Sequence, residues 1–146
     1  MARAGRQITI RRSVDDVFGL LSDAENDPKY SHLVIEAVRT SPGPIAVGTT
    51  ARLVSTMFGR RITNDWVVTE FEPNRAYAWE RTSENDRLGG RMTFAEVDGG
   101  TLVKTEIVAE PRGIARFAAR LIVTMGARGL ERDLARLKSL MEAHTL

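Results

Sequence analysis

"GIARFAARLIVTMGARGLERDLARLKSLMEA" (residues 113–143) gives the C-terminal end of the chain one long helical pattern. At 1.5 Å per residue, a continuous helix here is about 45 Å long. The apolar stripe of its first half is displaced by more than a quarter turn from the stripe of its second half. The first stripe comprises Ile114, Phe117, Ala118, Leu121, Ile122 and Met125, and the second comprises Leu130, Leu134, Leu137 and Met141.

The stripe changes direction at Gly126 and Gly129. Because a straight helix cannot direct both stripes at one sheet, the sequence predicts a kink or bend at these glycines. Two interpretations follow. Either both halves pack against one core around the bend, or the first half moves as a gate.

Residues 33–110, which precede this helix, carry the pattern of six consecutive strands, separated by short Gly, Pro and Asn turn signals. The strand segments are LVIEAVRT (33–40), TTARLVSTMFG (49–59), RRITNDWVVTEFEP (60–73), RAYAWERTSE (75–84), RLGGRMTFAEV (87–97) and TLVKTEIVAEP (101–111). No helical pattern alternates with them. The sequence therefore favours a largely antiparallel sheet over a parallel Rossmann-type sheet.

The N-terminal segment adds one more strand and two short helices. "RQITIRR" (6–12) alternates with Ile8 and Ile10 on one face, which is typical of a strand. Ser13 is placed to cap a helix, since its spacing to Asp16 approximates a capping box. Pro28 interrupts the pattern that follows and predicts a second short helix or turn. The predicted class is α+β, with six or seven strands and a long C-terminal helix.

The composition is that of one ordinary domain spanning residues 1–146, with 42% hydrophobic and 27% charged residues. Arginines are spaced along residues 112–136, but charges of both signs alternate elsewhere and the net charge is +2, so we expect no nucleic-acid partner. No apolar run reaches the ~18 residues of a membrane span, and the N-terminus lacks the apolar core of a secretory signal. With no cysteine, we expect a cytoplasmic protein without integral membrane association. A homodimer remains compatible with the sequence.

Four motifs follow one another along nearly the whole chain: ITIRRSVDDVFGLLSDAENDPKY (8–30), VVTEFEPNRAYAWE (67–80), VDGGTLVKTEI (97–107) and LERDLARLKSLMEA (130–143). Their order and spacing resemble the START-like domains of the SRPBCC superfamily, and within it the polyketide cyclase/dehydrase-like proteins. "PKY" (28–30) and "AEV" (95–97) depart from the usual family pattern. The resemblance implies a helix-grip fold, in which a curved sheet wraps the long helix around an apolar cavity. It implies no particular reaction, because this fold serves many functions.

Strand alternation indicates which side chains face such a cavity. Aromatic walls with few polar groups are typical of a small-molecule site, and Glu70 is one further polar candidate. The predicted ligand-binding residues are Tyr30, His32, Asn64, Trp66, Tyr77, Trp79, Arg81, Phe94, Thr105, Phe117, Leu121 and Met125.

No catalytic constellation stands out, so no catalytic residue is assigned. His32 and His144 have no metal-ligand spacing. Asp23, Glu25 and Asp27 lie on a turn near His32, but this turn lacks the glycine and ligand periodicity of a calcium loop. We therefore expect neither a metal nor a cofactor.

Three functions remain open at this point. The first is the binding of a polyketide, lipid or isoprenoid-like molecule between sheet and helix. The second is a polyketide aromatase/cyclase or dehydratase, in which Tyr77, Arg81, Asn64 and His32 take part. The third is a role at a partner or membrane surface through residues 113–129, which are apolar and flanked by arginine.

Overall fold

Seven strands form one antiparallel sheet in the computed structural model, which describes residues 1–146. The strands are β1 (Ala2–Ile10), β2 (Val34–Arg39), β3 (Thr50–Met57), β4 (Arg60–Glu72), β5 (Ala76–Arg81), β6 (Arg87–Val97) and β7 (Gly100–Glu110). Their spatial order is β1-β7-β6-β5-β4-β3-β2. Strands β2 to β7 are thus each paired with the next in sequence, and β1 crosses to the far edge beside β7. This arrangement confirms the predicted helix-grip fold.

Two short helices follow β1, as predicted. Helix α1 (Val14–Leu21) begins at Ser13, whose Oγ accepts a hydrogen bond from the backbone N–H of Asp16 at 3.2 Å. The 3₁₀ helix Ala24–Lys29 begins at Asp23, whose carboxylate accepts from the Glu25 N–H at 3.0 Å. Asp23 therefore acts as a helix cap, because its carboxylate satisfies a free N–H group of the first turn.

The C-terminal segment forms a 3₁₀ helix, Gly113–Ala118, followed by α2, Ala119–Glu142. Helix α2 is one unbroken α-helix through Gly126 and Gly129, so no bulge or interruption accompanies the kink or bend predicted there. The premise of that prediction was wrong, since most of the first stripe is exposed to solvent and only the second is buried in the core. The helix buries a single face along its length, which carries Val123, Ala127, Leu134, Leu137 and Met141.

The main core lies where this buried face crosses β1 and β7 and meets α1. Phe18 of α1 contacts Phe94 and Phe71 edge-on, with ring centroids 5.0 and 5.4 Å apart. Leu134, Leu137 and the β7 residue Val103 are no more than 1% exposed. Close packing at this end of the sheet holds helix and sheet together. The opposite end therefore does not have to be packed as closely.

Candidate ligand-binding site

A cavity of about 790 Å³ lies between the concave face of the sheet and the N-terminal half of α2. Its wall includes residues of β2 to β5, the 3₁₀ helix Ala24–Lys29 and one flank of α2, and 22 of its 35 lining residues are hydrophobic. Cavities that hold small molecules in proteins measure about 300–1,000 Å³ and are mainly apolar. The volume and the lining are both those of a small-molecule site.

The two glycines of α2 leave gaps between the side chains of its cavity-facing flank. A Cβ built on Gly126 would lie 3.5 Å from Ile107 Cγ2, and one built on Gly129 would lie 3.3 Å from His32 Cε1. Both glycines line the cavity. Longer side chains at these positions would extend into the space between helix and sheet. The glycines that the sequence presented as a hinge therefore contribute to the cavity volume.

Eight of the twelve predicted ligand-binding residues come together around this cavity. The ones that line it are Tyr30, His32, Asn64, Trp66, Tyr77, Trp79, Arg81 and Met125. Within this set Tyr77 and Trp79 stack, with ring centroids 5.3 Å apart and planes at 30°. The structure thus places an aromatic pair on the β5 wall, at the point where β5 faces the helix flank.

Four predicted residues lie elsewhere. Phe94 is packed against Phe18 in the main core. Thr105 is buried, and its hydroxyl donates to the carbonyl oxygen of Arg6 at 3.3 Å. Phe117 and Leu121 are 79% and 60% exposed, on the solvent side of the C-terminal helical segment. These placements follow from α2 packing over β1 and β7, which moves the cavity toward β2–β5.

Glu70 also lies outside the cavity, because β4 does not alternate regularly. A register shift between Val68 and Glu70 interrupts the pairing of β4 with β5. The bulge turns Glu70 to the surface, where its carboxylate accepts from Arg91 Nε at 2.6 Å. Since a bulge adds one residue to a strand, strict parity along β4 assigns residues beyond it to the wrong face.

Two polar side chains predicted for the cavity differ in how completely their hydrogen-bonding groups are paired. Asn64 is half-buried, and its Oδ1 accepts a hydrogen bond from Ser83 Oγ at 2.9 Å. The Arg81 side chain is 16% exposed and forms an ion pair through Nη2 with Asp86. Its Nε is buried without any hydrogen-bond partner. An unpaired buried donor costs free energy, so Arg81 retains an unused capacity to bind an acceptor.

A histidine–carboxylate pair closes the α2 side of the cavity. His32 Nδ1 lies 2.6 Å from Asp133 Oδ1, and the His32 backbone N–H donates to the same oxygen at 3.0 Å. Because a carboxylate oxygen accepts, Nδ1 carries the hydrogen, and in a neutral imidazole Nε2 is then left as a hydrogen-bond acceptor. Both residues line the cavity, and Asp133 is 8% exposed.

Sequence reasoning missed Asp133, which is 101 positions from His32. The available signal was an acid on the flank of the buried leucine stripe, three residues after Leu130 and four before Leu137. Residues at these spacings share a side of the helix. A charged group there needs a partner, since the stripe is buried.

A second acid, Asp27 on the 3₁₀ helix, lines the cavity near this pair. The Tyr30 hydroxyl donates to Asp27 Oδ1 at 3.2 Å. Burial raises the pKa of Asp27 to about 7, against the effect of the Tyr30 hydrogen bond, and the nearby Asp23 and Asp133 charges raise it further. Burial also raises the pKa of the Tyr30 phenol. Asp27 thus exchanges its proton in the neutral range, which an exposed aspartate does not do.

Two features bear on metals and membranes. No three His, Asp or Glu side chains are grouped so that they could hold a metal ion. No helix is both long enough and apolar enough to cross a membrane.

A curved antiparallel sheet that grips a long helix, with an apolar cavity between them, defines a START-like helix-grip domain. The sequence model of the family described as "Polyketide cyclase / dehydrase and lipid transport" matches residues 1–142. The chain belongs to this family, which confirms the resemblance that its motifs carry. No curated protein sequence matches the chain at a significant level.

Solved structures share the fold at low sequence identity. A protein of Thermus thermophilus superposes with a TM-score of 0.80 at 16% identity, over 99% of this chain and 100% of its own. A START superfamily protein from Mycobacterium smegmatis gives 0.78 at 13% identity, over 97% of both chains. The Zhui aromatase/cyclase from a Streptomyces species gives 0.77 at 14% identity, over 99% of this chain and 96% of its own. At these identities the likeness establishes the fold alone.

Proposed function

We propose that the protein binds a hydrophobic small molecule, of the polyketide, lipid or isoprenoid-like kind, between the sheet and α2. The observation that carries this proposal is a cavity of about 790 Å³ with mainly hydrophobic lining, which the protein's own side chains do not fill. Burying apolar ligand surface there is favourable by ~25 cal/mol per Å². Membership of a family described by cyclisation, dehydration and lipid transport supports the same ligand classes.

The few polar groups at the cavity suggest how the ligand is oriented. The unpaired Nε of Arg81 needs an acceptor, such as a ketone, phenol or carboxylate oxygen. The His32–Asp133 pair and Asp27 line the opposite side, next to α2 and the 3₁₀ helix. We therefore expect a ligand with an apolar body and at least one oxygen directed at Arg81.

Native mass spectrometry of the protein purified from its own host tests this proposal. We expect a small molecule of defined mass bound to the folded chain and released on unfolding. A panel of lipids and aromatic polyketides should then raise the midpoint of thermal unfolding, because a ligand that binds the native state stabilises it. The absence of any co-purifying molecule, together with no thermal shift across the panel, would refute ligand binding.

The His32–Asp133 pair favours a second candidate, an enzyme that dehydrates or cyclises a poly-β-keto substrate. Asp133 fixes the ring so that Nε2 can take a proton from a carbon next to a carbonyl. In a dehydration, the electrons of that C–H bond form the new double bond and the β-hydroxyl leaves as water, with its proton supplied by Asp27 or Tyr30. The aromatase/cyclase among the similar folds supports this candidate.

An assay with a β-hydroxy ketone, which dehydrates to a conjugated enone, distinguishes this candidate from a protein that only binds its ligand. The enzyme candidate requires enone absorbance to appear faster with the native protein than with His32→Gln, and Asp133→Asn to lower kcat. If the native protein and His32→Gln bind the ketone equally and neither accelerates enone formation, the enzyme candidate is wrong and binding stands.

A further inference from the structure

The solvent side of the C-terminal helical segment carries a row of exposed apolar side chains. Ile114, Phe117, Leu121 and Met125 are 88%, 79%, 60% and 59% exposed. At about 100° per residue, Leu121 lies about 160° around the helix from the buried Val123. Nothing in the chain covers this row, which we call the helix row. Isolated exposed apolar residues are ordinary, but a contiguous row of large ones marks an interaction surface.

A second exposed apolar group lies at the β3–β4 hairpin. Phe58 is 93% exposed, and Met57 and Ile62 are 40% and 39% exposed. Phe58 and Gly59 form the two-residue loop with φ values of 52° and 73°. Positive φ at both positions favours Asn, Asp or Gly in the first, so turn chemistry does not account for a phenylalanine there. Its placement points instead to a role for the protruding ring.

The hairpin group and the helix row flank the same opening. Met57, Phe58 and Ile62 line the cavity from the sheet side, and Met125 lines it from the helix side. Because these lining residues are also exposed, they mark the mouth of the cavity. We call the hairpin group and the helix row together the rim.

The two segments that carry the rim are rich in arginine, and acids from outside them pair with only three of their eight arginines. Residues 37–64 and 111–130 contain no Asp or Glu, and each segment contains four arginines. The two segments thus carry +8, which leaves −6 for the rest of a chain of net charge +2. Five of these arginines have no salt-bridge partner, namely Arg60, Arg112, Arg116, Arg120 and Arg128.

We propose that the rim docks on the surface of an anionic lipid bilayer. The apolar side chains enter the interfacial region, and the arginines contact lipid phosphates, as in helices that lie in the membrane plane. This orientation directs the mouth of the cavity at the bilayer, which is the natural reservoir of a hydrophobic ligand. Docking goes beyond the proposed function and can be measured without knowing the ligand.

A lipid surface fits the rim better than an acidic protein does. The apolar residues project from two separate elements on either side of an opening, so they offer no continuous groove for a helix or strand of a partner. A bilayer accepts separate protruding side chains, because it has no fixed shape. Arginine side chains beside apolar ones can also extend to the phosphate level while their stems stay in the interface.

Vesicle co-sedimentation of the full chain tests the proposal. We expect binding to phosphatidylcholine vesicles that contain one third phosphatidylglycerol, little binding to pure phosphatidylcholine, and loss of binding at high salt. Phe58→Ser and Phe117→Ser should each weaken binding about tenfold. The double change Arg116→Gln and Arg120→Gln should weaken it roughly twentyfold.

Matched controls lie on the same chain. Arg132 and Arg136 are exposed, have no salt-bridge partner and follow the helix row on α2, so their replacement by Gln should change vesicle binding less than twofold. Val97→Ser removes an apolar side chain that is 38% exposed at the β6–β7 turn, outside the rim, and should leave binding unchanged. All these side chains are at the surface, so each variant should keep its thermal unfolding midpoint.

Two outcomes would overturn the proposal. One is that anionic vesicles fail to sediment the native protein, or sediment the Phe58→Ser and Phe117→Ser variants equally well. The other is a stable dimer or a complex with an acidic protein that depends on the rim while vesicles do not bind. Titration of the same variants with an apolar fluorophore, without vesicles, reports cavity binding separately, so a failure of docking is distinguishable from a failure of ligand binding.

Discussion

The two halves of α2 face the same sheet but differ in how completely they fill the space against it. In the C-terminal half, Leu134, Leu137 and Met141 are at most 1% exposed and fill the space above β1 and β7. In the N-terminal half, Gly126 and Gly129 face the cavity, and Leu121 and Met125 are exposed. One half of the helix thus holds the fold together, and the other half leaves space and surface free. Stability and binding are separated along a single element.

The largest difference between the halves should appear in truncations of buried and cavity-lining side chains. Leu137→Ala should lower the free energy of unfolding by about 3 kcal/mol, because it removes buried atoms and leaves a hole in a close-packed region. Ile122→Ala, on the cavity side, should cost about 1 kcal/mol or less, since Ile122 already borders empty space. Urea denaturation of the two variants measures both values. Equal losses would show that the two halves do not differ.

Asp27, the acid on the cavity wall, should make the free energy of unfolding depend on pH. The pKa of Asp27 is raised from 3.8 to about 7 in the folded protein, so the native state holds a proton that the unfolded chain releases. The stabilising contribution of this proton is therefore complete below pH 3.8 and is lost as the pH rises toward 7.

Asp27→Asn tests this dependence, because asparagine keeps an acceptor for the Tyr30 hydroxyl and does not titrate. Above pH 7 the variant should be more stable than the native protein by up to about 4 kcal/mol, and the advantage should shrink as the pH falls toward 4. Denaturant unfolding at a series of pH values measures the difference. A constant difference from about pH 4 to 8 would contradict the raised pKa.

The smallest expected effect is a difference in thermal stability between alanine variants of the two α2 glycines, Gly126 and Gly129. Gly126→Ala should stabilise the protein by roughly 0.5–1 kcal/mol, because alanine favours a helix interior and its Cβ makes an ordinary contact 3.5 Å from Ile107. At Gly129 the new Cβ would lie 3.3 Å from His32 Cε1, a tighter contact that offsets the same gain. Thermal unfolding of both variants should show a higher midpoint for Gly126→Ala only. A higher midpoint for Gly129→Ala as well would show that His32 moves freely.

The sequence correctly predicted features that depend on residues close together in the chain. Strand patterns and turn signals predicted the seven strands, and the Ser13–Asp16 spacing predicted the helix cap. Cavity residues on β4 and β5 before the bulge, such as Trp66, Tyr77 and Trp79, followed from alternation. All of these depend on periods of two or a few residues, which local backbone geometry sets.

The errors concern features that only the three-dimensional arrangement decides. The partner of His32 lies 101 positions away, and nothing in a local pattern relates the two. The bulge before Glu70 reverses which side chains of β4 face the cavity. No glycine or other clear sequence signal marks its position. The two stripes of the C-terminal helix were interpreted as two core faces, although one of them faces solvent. A stripe of apolar residues shows that a face is apolar and does not show what covers it.

A fluorescence titration of a matched pair of Gly126 variants tests the central claim most directly. The only two tryptophans of the chain, Trp66 and Trp79, both line the cavity, so energy transfer from them to a bound phenylnaphthylamine reports cavity occupancy. We predict saturable binding of this fluorophore to the native protein and Gly126→Ala. Gly126→Leu, whose longer side chain occupies the cavity, should bind at least about tenfold more weakly, a difference of ~1.4 kcal/mol. Equal binding by all three proteins, or no saturable energy transfer in any of them, would contradict the claim that the space between sheet and helix is a ligand site.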